Sequence, residues 1–170
     1  MIDFRPATPE DIFWVTMRAR THDILELMAV SYSETLQDLA ADMARKFGGT
    51  DGVYVFTVDE SPVCILIWKQ LWPEVWSMGM WATPDISKAA KYITETCGKR
   101  VFKGLMAAGC HRVECKSVVG YDTVHKWLRF LGFRQEEGIH RKFGRNGEDF
   151  VTFSWTQGMP WPRGYKPDAE

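Results

Sequence analysis

The stretch from Val75 to Arg134 most constrains what this chain can become. Val75–Ala82 reads as a strand that leads through Thr83-Pro84-Asp85 into a long helix over about residues 87–107. A second strand, Arg112–Val118, follows, and then a helix over about residues 121–131 that closes on Leu131-Gly132-Phe133-Arg134. Strand, helix, strand and helix in that order belong to a sheet with helices packed on it, which makes the class α/β or α+β. The first strand-to-helix turn, Ala82-Thr83-Pro84-Asp85-Ile86-Ser87-Lys88-Ala89-Ala90, contains no glycine.

The remaining segments extend the same sheet. Ile2-Asp3-Phe4-Arg5-Pro6-Ala7 reads as a short opening strand, and Thr8-Pro9-Glu10-Asp11 is a helix start: Thr at the N-cap, Pro at the first position, two carboxylates in the first turn. That helix is expected to run to about Arg20. A second helical stretch covers about residues 33–47, with Leu36, Leu39, Ala40, Met43 and Phe47 on one face, and ends at Gly48-Gly49. Residues 53–58 and 63–69 form a hairpin across Asp59-Glu60-Ser61-Pro62, and Trp72-Pro73-Glu74 turns into the next strand. Residues 134–137 and 150–156 pair around a polar loop at 144–149. The expected architecture is one domain over residues 1–157, a mixed and mostly antiparallel sheet of about seven strands flanked by about four helices. A Pro- and Trp-containing tail follows at 158–170.

Composition narrows the function classes. A chain of 170 residues with 45% hydrophobic and 25% charged residues buries a real core. A net charge of −1 argues against a generic polyanion binder, so no nucleic-acid partner is expected. No apolar run approaches the roughly 20 residues needed to cross a bilayer, and Met1-Ile2-Asp3-Phe4-Arg5 lacks the pattern of a signal peptide. Cys64, Cys97, Cys110 and Cys115 lie in apolar or regular segments, as buried reduced thiols in a reducing cytosol would. Cys110-His111 with Cys115 lacks the partner spacing of a zinc site, so no metal is expected.

The strand–Pro84–helix junction, the Leu131-Gly132-Phe133-Arg134 close and the opening Phe4-Arg5-Pro6-Ala7-Thr8-Pro9-Glu10-Asp11-Ile12 together resemble the GNAT-type N-acetyltransferases, the acyl-CoA N-acyltransferase fold. The resemblance covers nearly the whole chain in element order. A narrower one rests on Thr21-His22-Asp23-Ile24-Leu25-Glu26, Val119-Gly120 and Phe130-Leu131-Gly132, which are similar to the small acetyltransferase-like proteins of T7-type phages. Members of that group are described as internal virion or head-assembly proteins. This resemblance implies a phage-encoded protein of the host cytoplasm or virion, with virion or host proteins as partners.

The broader resemblance implies acetyl-CoA as cofactor and a set of site residues. Ser77, Gly79 and Trp81 share one face of a strand, and the small Ser77/Gly79 side suits the pantetheine arm. Ser87, Lys88 and Lys91 stand where the family's glycine-rich turn holds pyrophosphate on backbone amides. With Lys88, Ala89, Ala90 and Lys91 in place of glycines, weak phosphate binding is expected rather than a tight grip. The solvated face of a helix explains the same lysines. Leu128 takes the position of the family's proton-donating tyrosine, and Tyr121, on a different turn of the helix, is the substitute donor or a rim tyrosine packing its ring. His22 and Glu26 lie at i and i+4, so a helical segment puts them on one face as candidate bases for an acceptor amine. Asp23 stands beside them, and an Asp/His cap at the helix N-terminus with a surface ion pair explains the same residues. His125 reads as a partly buried helix residue.

Trp76, Met78 and Met80 share the other face of their strand, as core against a helix or as an aromatic contact surface. The tail either docks a partner or packs back on its own domain. The leading expectation is a binding or virion-assembly protein with a degenerate pyrophosphate loop. The alternative is an active acyl-CoA-dependent N-acetyltransferase that transfers directly to an amine.

Overall fold

Thr8 does what its position demands. Its Oγ1 accepts from Asp11 N at 3.2 Å while Asp11 Oδ2 accepts from Thr8 N at 2.9 Å, a reciprocal capping box that starts helix α1 (Pro9–Met17). Arg5 closes on the same Asp11 carboxylate with bonds of 2.6 and 3.0 Å. The helix stops at Met17 instead of near Arg20, because the backbone of Arg20 turns extended and donates its N–H to Ala82 O at 2.8 Å. A separate helix, α2 (Thr21–Ala29), begins there. α3 (Leu36–Phe47) starts later than residue 33: Thr35 caps it, and Ser33 bonds Asp42 at 2.9 Å instead.

The computed structural model describes residues 1–167. Its strands are β1 (Ile2–Pro6), β2 (Val53–Val58), β3 (Ser61–Trp72), β4 (Val75–Ala82), β5 (Arg112–Val118), β6 (Arg134–Gln135) and β7 (Phe150–Thr156). They form one sheet in the order β1-β2-β3-β4-β5-β7-β6, antiparallel except where β4 meets β5. The crossover between those two strands is a composite run: a 3₁₀ turn (Pro84–Lys88), α4 (Ala90–Thr96), a π turn (Cys97–Phe102) and α5 (Lys103–Ala107). α6 (Asp122–Leu131) ends on Gly132 at φ 108°, a left-handed cap that glycine supplies without strain. Counting the composite run as one, five helical runs flank the sheet where four were expected, α2 being the addition.

Strand alternation divides the core into two layers. Val55, Ile65 and Trp81 point toward α1 and α3 and pack with Ile12 and Val15. Phe56, Leu66, Met78 and Ala82 point the other way, with Ile93, Phe102, Leu131, Phe153 and Trp155. Trp76, Met80 and Trp68 pack against that second layer, so the Trp/Met face of β4 is core.

The tail packs back on its own domain over the described residues 158–167. Trp155 Nε1 donates to Pro160 O at 2.9 Å, the Trp161 ring stacks on Trp155 at 5.7 Å, and Arg163 N donates to Leu131 O at 2.9 Å. The rest of the expected tail, 168–170, lies outside the described residues.

Candidate active site

A cleft opens where the sheet comes apart. β4 and β5 pair only from Val75–Arg112 to Ser77–Glu114, and beyond that point they diverge. β3 stays paired with β4 as far as Ala82, so the break is one-sided. Ala82 shows which backbone groups the break exposes. Its N–H and carbonyl both point away from β3, to Asp23 Oδ2 at 2.9 Å and to the N–H of Arg20 at 2.8 Å. Alternation places the Met78 carbonyl and both backbone groups of Met80 on the same edge past the last rung, where no β5 residue pairs with them among the described residues. The resulting cavity, about 60 Å³, is lined by Met78–Met80 of β4, Cys115–Ser117 of β5, Tyr121, Val124, Trp127 and Leu128 at α6, and Asp23 and Glu26 of α2.

Asp23 is the hub of this region. Only 4% exposed, it accepts from Arg20 through two bonds (2.8 and 3.1 Å), from Ala82 N and from Tyr121 Oη at 2.9 Å. One carboxylate thereby joins the start of α2, the end of β4 and the start of α6. It makes no helix cap: the N-cap residue of α2 is Arg20, with no side-chain cap bond.

Glu26 lies one turn further along α2. Its Oε2 accepts from Ser117 Oγ at 2.9 Å and from Val118 N at 2.8 Å. Both bonds end on Oε2, which leaves Oε1 without a partner among the described residues. Burial pushes the Glu26 carboxyl above its ordinary value of 4.5, opposed by these two hydrogen bonds and reinforced by Asp23. A carboxylate that holds a proton more readily, with one free oxygen beside an apolar cleft, has the properties of a general base.

The structure brings some of the expected residues together and separates others. Glu26, Gly79 and Tyr121 line the cleft. The Tyr121 hydroxyl donates to Asp23, and burial together with that carboxylate pushes the phenol well above its ordinary value. That environment works against proton donation. His22 is exposed and stacks flat on Tyr121, with ring centroids 4.7 Å apart. Trp81 lies outside the cleft: its ring is 1% exposed in the layer beneath α1, and its Nε1 donates to Thr16 Oγ1 at 3.0 Å. Ser77 stands where β4 and β5 still pair, below the opening. Ser87, Lys88 and Lys91 are exposed on the crossover, and Lys88 is paired with Asp85 at 2.8 Å. Sequence reasoning missed Arg20, Ser117 and Trp127, whose Nε1 donates to Thr94 Oγ1 at 3.1 Å and spans α6 and α4. It also read Asp23 as a cap. Arg20 stands three residues before Asp23, a spacing visible in the sequence, whereas Ser117 and Trp127 carry no local mark because Glu26 and Thr94 lie 91 and 33 residues away.

Among the described residues no group of three His, Cys, Asp or Glu side chains could hold a metal ion, and no helix is long and apolar enough to cross a membrane. No family model and no curated protein matches the chain. Solved structures do. A GNAT-family acetyltransferase from Bacillus anthracis aligns with TM-score 0.66 at 14% identity, covering 91% of this chain and 94% of its own. Ard1 from Thermoplasma volcanium aligns with TM-score 0.66 at 13% identity, covering 91% and 97%. The ribosomal-protein-S18-alanine N-acetyltransferase of Escherichia coli aligns with TM-score 0.64 at 12% identity, covering 98% and 100%. At such identities the likeness shows the fold alone: this chain has the GNAT acetyltransferase fold over nearly its whole length.

Proposed function

We propose that this protein is an acyl-CoA-dependent N-acyltransferase that transfers directly to an amine, with Glu26 as the base. One observation carries the reading: a half-buried carboxylate, held on one oxygen only, faces an unpaired strand edge in the break between β4 and β5.

Acetyl-CoA, the cofactor this fold implies, fits one end of the site better than the other. The free carbonyl of Met78 and the free backbone groups of Met80 suit the amides of a pantetheine arm, and Gly79 keeps that part of the strand slim. The diphosphate end is less open. In the turn before α4, Ile86 N is bonded to Thr83 O and Ala89 N to Ile86 O, so those amides are already used. Ser87, Lys88 and Lys91 would hold the anion there from exposed positions. When bound, the cofactor supplies an acyl thioester. Glu26 then removes a proton from the incoming amine at Oε1, while Ser117 and Val118 fix the carboxylate through Oε2. Met78, Met80, Val124, Trp127 and Leu128 exclude water from the base.

The test is calorimetric titration with acetyl-CoA, dephospho-CoA serving as control, followed by thioester consumption over a panel of amines. Saturable binding and consumption that Glu26→Gln cuts by about 100-fold or more support the reading. No binding at millimolar ligand and no consumption would end it.

A second reading follows the phage resemblance: a binding or virion-assembly protein that keeps the fold as a scaffold, with virion or host proteins as partners. The closed 3₁₀ turn at Pro84–Lys88 favours it, as a degenerate diphosphate loop. It predicts indifference to Glu26→Gln and loss of partner binding on replacing the exposed Trp72.

A further inference from the structure

The Ser117 hydroxyl stands between two titratable groups. It lies 2.9 Å from Glu26 Oε2 and 3.1 Å from His125 Nε2, and the residue is 2% exposed. A hydroxyl has one proton, so it donates to one of these neighbours at a time and accepts from the other. With Glu26 ionised, Ser117 donates to the carboxylate and His125 Nε2–H donates to Ser117. With Glu26 protonated on Oε2, the acid donates to Ser117, whose own proton turns to a bare His125 Nε2.

We infer that Glu26 and His125 hold one proton in common through Ser117, so that His125 sets the pH at which Glu26 is free to act as a base. The exchange balances without any further reactant. As Glu26 Oε2 gives its proton to Ser117 Oγ, Ser117 gives its own to His125 Nε2, leaving a carboxylate and an imidazolium. The inference rests on the N-acyltransferase reading for its purpose, though the coupling itself belongs to the protein without ligand.

The surroundings of His125 add little competing charge. On α6 the charged neighbours are Asp122, one turn before, and Arg129, one turn after. β5 presents Ser117 and the backbone of Val118, and β7 presents the Phe153 ring at 4.9 Å. On the far side of Ser117 stands Glu26, with Asp23 and Arg20 behind it. Burial lowers His125 and raises Glu26, which brings the two groups closer in proton affinity.

The experiment is a cycle of variants read by NMR titration of the His125 ring in the ligand-free protein. Glu26→Gln is expected to lower the His125 midpoint by about 1 unit when Ser117 is present, and by much less in a Ser117→Ala background. Ser117→Thr, which keeps the hydroxyl, should restore the larger shift. Equal shifts in the Ser and Ala backgrounds would overturn the inference, because a coupling through space needs no hydroxyl. If thioester consumption is found, His125→Gln should move the acidic limb of its pH profile upward by a similar amount, and an unmoved limb would count against the coupling. The titration uses no cofactor, so a protein that transfers no acyl group but shows the coupling would sink the functional reading alone.

Discussion

At the scale of single residues, two carboxylates on α2 have opposite tasks. Asp23 is fully committed to Arg20, Ala82 and Tyr121. Truncating it leaves a guanidinium and a strand amide without their partner, so Asp23→Ala should cost about 3–5 kcal/mol in chemical denaturation. Glu26 is the reverse case. Its carboxyl is raised in the folded state, so the protonated form is the one the fold prefers. The stability it contributes is fully present below the unfolded value and is lost as pH rises through the folded one. Glu26→Gln should therefore gain Tm over the wild type as pH climbs from about 4 to about 8. A Tm gap that stays flat across that range would contradict the raised carboxyl. The run from His22 to Glu26 was legible as the place to look, but its helical spacing joined two side chains that part company: Glu26 turns into the cleft and His22 onto Tyr121. The partners could not be read at all. Ser117 lies 91 residues from Glu26, and Tyr121 98 from Asp23, and local patterning has no reach at such separations.

At the scale of elements, the crossover shows what periodicity hides. Residues 87–107 read as one helix because their apolar spacing is helical throughout, yet the run changes from 3₁₀ to α to π to α. Pro84 favours the opening turn. The π turn coincides with the point where the tail lies on the helix: a Cβ on Gly98 would run into the Arg163 carbonyl oxygen and the backbone of Gly164. Gly98→Ala should lift the 158–167 segment from its seat, destabilise the fold by about 1–3 kcal/mol and make that segment the first site of limited proteolysis. Proteolysis and stability unchanged from wild type would mean that the tail contact has no energetic weight. The strand assignments survived because Pro/Gly turns and alternation bracket them, except that β6 shrinks to Arg134–Gln135 and β3 extends to Ser61–Trp72, taking in residues read as turn.

At the scale of the molecule, the mixed, mostly antiparallel sheet and the GNAT fold could be anticipated from element order, whereas the opening between β4 and β5 could not, since both strands look uninterrupted in sequence. The separation has a mechanical meaning. β1 to β4 make one leaf and β5 to β7 another, and among the described residues three residue pairs at Val75–Ser77 are the only rungs between them. Hydrogen exchange should find the amide of Met80 less protected than those of β2 and β3, and equal protection would refute the two-leaf description. Such a sheet behaves as a book with a short spine. Anything that bridges Met80 to the facing strand replaces missing rungs and stiffens the two covers against each other, so occupancy of the gap should register far from it, as slower breathing of both outer edges.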